Sequence, residues 1–408
     1  MKNRATTVFA ATLFTVFTTA ATAWEVTTIH EFAGGGDDGG YPAGSLTLAG
    51  STLYGMAAYG GDDDAGAIFR LGTDGGGFTL LHEFDVNDGQ WPQGSLTLSG
   101  STLYGMAVSG GSGTYGTVFS IGTDGNDFTL LHEFAGGGND GSMPYGSLTL
   151  DGSTLYGMTY MGGDSARGTI FRMGTDGSGF TLLHEFAGGG SDGAYPSADL
   201  TFSGSTLYGT TFRGGDSNLG AIFSMNTDGS GFTLLHEFAG GAADGNGPLG
   251  NVTLDGSTLY GTTFRGGDSN LGTIFSMGAD GSGFALLHEF AGGGDDGSYP
   301  QGSLSLDGST LYGMAGYGGD SDAGALFSID TDGTNYTIQH EFAGGPGDGA
   351  WPFYGALTQG GSLPLYGMTY QGGASDMGVV FVATVPEPGS LALLALGIGG
   401  LILRWRRK

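Results

Sequence analysis

The chain has 408 residues, 89 glycines, no cysteine and a formal charge of −29, with 39% hydrophobic and 12% aromatic residues. The lack of thiols excludes disulfide and thiolate chemistry, and the acidic balance excludes a surface for nucleic-acid phosphates. The apolar share suffices for a core, so glycines at fixed offsets mark turns rather than disorder.

Residues 1–23 read as a secretory signal. Lys2 and Arg4 precede a largely apolar stretch from Thr7 to Thr19, and Ala21-Thr22-Ala23 offers small residues for cleavage before Trp24.

From Val26 to Phe32 the pattern predicts a strand ending in His-Glu-Phe. The triplet returns at His82, His132, His184, His236, His288 and His340. Leu-Tyr-Gly recurs at Tyr54, Tyr104, Tyr156, Tyr208, Tyr260, Tyr312 and Tyr366, spaced 50, then 52 four times, then 54. A strand-rich period of this length marks a propeller or solenoid. One unit predicts strands at 146–150, 154–159, 169–173 and 180–186, joined by Asp-Gly turns and one long Gly-Gly loop.

Strand sets beginning near Gly44, Gly94, Gly146, Ala198, Gly250, Gly302 and Gly355 make seven units, but the last lacks its fourth strand. Val26–Phe32 supplies it. The expected fold is an all-β, seven-bladed propeller of four-stranded antiparallel blades over residues 24–384, closed by the N-terminal strand pairing with the last blade. An open solenoid would leave that strand unpaired.

Residues 385–408 begin Val-Pro386-Glu387-Pro388, continue through an apolar stretch at 389–403, and end with Arg404, Arg406, Arg407 and Lys408. The stretch is short for a stable span, which needs about 20 residues. Pro-Glu-Pro, a short apolar run and a basic end together resemble the PEP-CTERM sorting signal of Gram-negative bacteria. The resemblance implies an exosortase partner, a short transmembrane segment anchored in the inner membrane before processing, and delivery to the cell surface or extracellular matrix. The units resemble the GloVer tandem-repeat family, with Tyr208-Gly209-Thr210, Gly214-Gly215 and Gly220-Ala221-Ile222-Phe223 as the matching pieces. That resemblance implies no defined activity.

Without both ends, the body keeps five Arg against 39 acidic residues, a net of −34. Such a field favours cations, neutral polymers or basic partners. Every His sits in the repeated triplet, so the expectation is structural, and no catalytic residue is assigned. No Asp is set apart by its context. The Gly-Gly-Asp loops are oxygen-rich enough for structural calcium, although their spacing is not that of an EF-hand; no other cofactor is expected. Residues 207–241 and 259–293 are nearly identical, which favours a scaffold or multivalent binder.

The inter-blade loops carry Asp-Gly and then an aromatic before Pro at Tyr41, Trp91, Tyr195, Tyr299 and Trp351, with Met143 and Gly247 in the other two. These loops share a face with the second-to-third-strand loops. Flat rings beside carboxylates can stack on sugars, so the five aromatics are candidate ligand-binding residues. The expectation is a non-enzymatic surface or matrix interaction module with exopolysaccharide as candidate ligand. The alternative is a polysaccharide-active hydrolase or lyase with an Asp/Tyr site on the long-loop face.

Overall fold

The computed structural model describes residues 24–361 and 364–384. The signal peptide, the transmembrane segment expected at 389–403, and Pro386, Glu387, Pro388, Arg404, Arg406 and Arg407 lie outside the described residues. Among the described residues, no helix is long and apolar enough to cross a membrane.

Seven four-stranded antiparallel sheets form the blades of a propeller. Blade 3 is representative, with strands Thr149–Asp151, Thr154–Thr159, Thr169–Gly174 and Thr181–Glu185 in that order from channel to rim. Blade 7 combines Thr358–Gln359, Leu365–Thr369 and Val379–Thr384 with the N-terminal strand Glu25–Glu31. Glu25 pairs with Thr384 and Val26 with Ala383, so the strand closes the ring as expected. A ring of hydroxyl bonds completes the circuit. Thr149 Oγ1 donates to the Leu200 carbonyl of the next blade at 2.6 Å, and the series ends with Thr358 donating to Leu46 of blade 1.

The core lies between blades. Tyr104, Met106, Val118 and Phe134 of blade 2 pack on Leu148, Leu155, Phe171 and Met173 of blade 3, all nearly inaccessible. Leu-Tyr-Gly explains itself here. The glycine faces the third-strand Phe, as in the pairs Gly105 with Phe119 and Gly157 with Phe171, and the ring lies over the space a Cβ would fill.

Except in blade 1, whose first strand runs from Gly39 to Ala49, the first strands are shorter than the alternation predicts: Thr149–Asp151, not 146–150. Gly146 leaves its own sheet to lie against the neighbouring blade, where an added Cβ would collide with the Ala198 carbonyl. The same approach recurs at Gly44, Gly94, Gly250, Gly302 and Gly355. This segment therefore lines the channel instead of joining the sheet.

His-Glu-Phe is a latch. The Phe enters the inter-blade core, and Phe134 and Phe186 are 1% and 0% exposed. The Glu carboxylate accepts a loop N–H, as Glu185 does from Asp164 at 2.8 Å. The His Nε2 meets the Asp of the following Asp-Gly pair at 2.9–3.2 Å in all seven cases, from His30–Asp38 to His340–Asp348. Burial alone would push Asp140, Asp296 and Asp348 up. The His contact and backbone N–H groups outweigh it and hold all three below the usual range.

Six of the imidazoles also stack flat, with centroids 3.7–3.9 Å away, on an aromatic of the next blade: Phe78, Phe128, Phe180, Phe232, Phe284 or Tyr336. Val26 holds the corresponding register at the closing seam, and the His340 side chain is 25% exposed against 17–20% elsewhere. Val26→Phe should supply the missing ring and add about 1 kcal/mol. A calorimetric scan should then show a rise of about 2 °C; an unchanged or lower transition would show that the seam cannot accept the ring.

Candidate functional site

The two kinds of long loop are zipped together. Gly141 pairs with Gly162 and Ser142 with Met161, a two-residue ladder repeated in blades 4 to 7. Blade 1 continues the ladder into its main sheet, and blade 2 reduces it to the bridge Gln90–Ser109.

The residue after the ladder has left-handed backbone in every blade. It is Tyr41 (φ 54°), Trp91 (57°), Met143 (58°), Tyr195 (58°), Gly247 (65°), Tyr299 (54°) and Trp351 (54°). Its N–H donates to a loop carbonyl of the preceding blade, as Trp91 does to Ala65 at 2.8 Å and Trp351 to Ala323 at 2.7 Å. The hook imposes the conformation. It asks for glycine, and a side chain there costs about 1–2 kcal/mol. Only blade 5, with Gly247, complies.

The expected binding aromatics therefore sit at a strained position, where the side chain is retained against backbone preference. They are not isolated. Phe264, Tyr299, Tyr317, Phe353, Tyr370, Tyr41, Tyr59 and Trp91 form a continuous arc over blades 5, 6, 7, 1 and 2, with successive centroids 5.0–6.5 Å apart. Trp351 joins it through Tyr317 at 6.0 Å. Tyr195 belongs to a separate group with Tyr160 and Tyr145. Arg213 lies 4.4 Å from the Phe212 ring, and Arg265 lies 5.4 Å from both Phe264 and Tyr299. Trp91 is 39% exposed and the other arc rings are half-buried; Tyr354, 5.9 Å from Phe353, is 48% exposed.

Beside this face, a cavity of about 380 Å³ occupies the centre of the ring, lined by residues of all seven blades. Its wall is a girdle of backbone-to-side-chain bonds. The Ser45 N–H donates to Ser95 Oγ and the Ser95 N–H to Ser147 Oγ, both at 2.7 Å, and the Ala356 N–H donates to Ser45 Oγ at 2.8 Å. Blade 4 breaks the pattern. Asp199 stands where blades 1, 2, 3 and 6 have serine, and its Oδ1 accepts the Ser147 N–H at 2.5 Å. Blade 5 has Asn251 there, whose Oδ1 is buried without a partner, as is Ser197 Oγ.

Asp199 corrects the expectation that no Asp is set apart. Removal from water pushes its carboxyl up, and the Ser147 N–H and hydroxyl only partly oppose this. The signal was present in the sequence: Ala198-Asp199-Leu200 replaces the Gly-Ser-Leu of the neighbouring units. Burial also raises Tyr145, Tyr160 and Tyr354, which line the same cavity and stay protonated.

Among the described residues, no group of three or more His, Asp or Glu side chains gathers to hold a metal. In the Gly-Gly-Gly-Asp-Asp loops expected for calcium the second carboxylate faces inward to backbone N–H groups, as Asp38 does to Ala33 and Gly39 at 2.9 and 2.8 Å and Asp296 to Ala291 and Gly297 at 2.8 Å.

A family model described as the Gloeobacter/Verrucomicrobia repeat matches residues 8–223 and 165–381. The chain belongs to this family. The model of the PEP-CTERM protein-sorting motif matches residues 384–408 of this Gloeobacter/Verrucomicrobia repeat protein. That motif implies export, recognition by exosortase-type machinery and a membrane-anchored state before processing. No curated protein matches the chain. Among solved structures, it is similar to an oligogalacturonate lyase in complex with manganese, at 15% identity and TM-score 0.56 over 90% of this chain and 95% of that one. An oligogalacturonate lyase from Vibrio parahaemolyticus is similar at 12% identity and TM-score 0.52, over 89% and 94%. At such identities the likeness concerns the fold alone.

Proposed function

We propose that this repeat protein is a non-enzymatic interaction module of the cell surface or extracellular matrix, and that its long-loop face binds exopolysaccharide. The observation that carries the reading is the strained left-handed position. Five blades keep Tyr or Trp there although Gly247 satisfies the same backbone. Tyr41, Trp91, Tyr299 and Trp351 among these rings join the arc, a run of edge-on and tilted aromatics suited to a chain of sugars, and glycines around it let a polymer approach. Weak contacts repeated around the ring add by avidity.

A glycosidase needs two carboxylates flanking the scissile bond. Among the described residues Asp199 is the one carboxylate lining the cavity, so a hydrolase would need its pair on the long-loop face.

The test is a binding screen against bacterial and plant polysaccharides, with product analysis on the same samples. Trp91→Gly and Trp351→Gly adopt the solution of blade 5. Each should weaken polymer binding about tenfold, by analogy with about 1–3 kcal/mol for aromatic stacking, without lowering the melting temperature. Lower melting with unchanged binding would make the rings packing elements, and shortened polymer would establish the enzyme.

A further inference from the structure

The central cavity departs from the repeat in a chemically consistent direction. In blades 4 and 5 the girdle loses two serines and acquires Asp199 and Asn251. Asp199 accepts, Asn251 Oδ1 accepts, and neither acceptor is satisfied from within the wall: Asn251 Oδ1 has no partner, and Asp199 receives only the Ser147 contacts. Among the described residues no Lys or Arg lines the cavity, so the Asp199 charge has no counter-ion there. Asp199 is half-buried, with part of its surface open to the cavity, and a carboxylate held there without a cation is costly. The rings of Tyr145, Tyr160 and Tyr354 complete the lining and offer negative π-faces. The volume falls at the small end of ligand cavities, about 300–1,000 Å³. The body, at −34, draws cations toward the whole ring.

From these groups we infer that the central cavity is a receptor for a protonated primary amine on a body no larger than one sugar residue, with Asp199 as its counter-ion and Asn251 Oδ1 as a second acceptor. An ammonium brings three N–H donors and a positive charge to a site that has acceptors, a carboxylate and π-faces. A neutral sugar brings donors but leaves the charge uncompensated. The site adjoins the aromatic arc through Tyr354, 5.9 Å from Phe353, but the two readings rest on different residues and fail separately.

Calorimetric titration at pH 7 with glucosamine, glucose, N-acetylglucosamine and n-propylamine tests it. Glucosamine and n-propylamine should bind, and the two uncharged sugars should bind at least tenfold more weakly. Asp199→Ser restores the residue of blades 1, 2, 3 and 6, so the fold should keep its melting temperature while amine affinity falls at least tenfold. Polymer binding through Trp91 and Trp351 should survive the change. The amine affinity should also fall on acidification as Asp199 takes up a proton; Tyr145, Tyr160 and Tyr354, the other titratable groups facing it, stay neutral over that range. Absence of amine binding, equal binding of glucose, or an Asp199→Ser variant that binds like the parent would each overturn the inference. So would a response to calcium chloride that displaces the amine and persists in Asp199→Ser.

Discussion

A chain that starts at Ala33 should lose its cooperative thermal transition and aggregate. It lacks the fourth strand of blade 7, so Val379–Thr384 becomes an open edge. Phe32 leaves the core between blades 7 and 1, and Asp38 loses His30. Edge exposure is the hazard that a ring exists to remove. The companion experiment separates lost pairing from lost sequence. In blade 3 residues 175–180 join the third and fourth strands; Arg172 pairs with Thr181 as Val382 does with Thr27, so Thr384 and Glu25 stand at the positions of Gly174 and Gly179, with residues 175–178 between them. A permutant that runs from Ala33 to Thr384, continues through Thr-Asp-Gly-Ser and ends with residues 25–32 gives every blade its own four strands. It should melt cooperatively at or above the parent temperature. Size-exclusion chromatography and calorimetry read both outcomes. A monomeric, cooperative truncation would show that the ring does not need its seam.

Gly105→Ala should be among the most damaging single substitutions, costing about 3 kcal/mol, at the upper end for overpacking. The new Cβ would press on Phe119, whose Cε2 is 3.0 Å from that point, and on Leu96 Cδ2 at 3.1 Å. Phe119 is fully buried between blades and has nowhere to move. Phe119→Leu alone should cost about 1–2 kcal/mol through the cavity it leaves. Because the two defects relieve each other, the double variant should be more stable than the sum of the singles predicts. Denaturant unfolding of the four proteins measures the coupling, and strict additivity would show that the glycine serves some other purpose.

The blade was legible because its strands repeat with little change. The predicted 154–159 and 169–173 became Thr154–Thr159 and Thr169–Gly174. The innermost segment was misplaced because Gly146-Ser147-Leu148 alternates like a strand, yet its backbone is drawn to the next blade, and no local pattern encodes that tertiary contact. The substitution of Gly247 for an aromatic was a visible sign of left-handed backbone at Tyr41, Trp91 and their counterparts. It read as variation only, because φ is invisible until the hook to the preceding blade is known. Asp199 was hidden among 40 acidic residues, most of which serve turns. A carboxylate in a turn and one in a desolvated channel look alike until the surrounding space is known.

The pairing of Glu25 with Thr384 joins residues 359 positions apart. In an exported chain the N-terminal strand crosses first and must wait for its partner until almost all the remaining chain has followed. The ring therefore cannot lock until that partner arrives, and closure becomes slow because it needs a contact between the two ends of the described residues. An interrupted chain never closes. Closure thus needs the chain up to Thr384, the residue at which the match to the sorting motif begins.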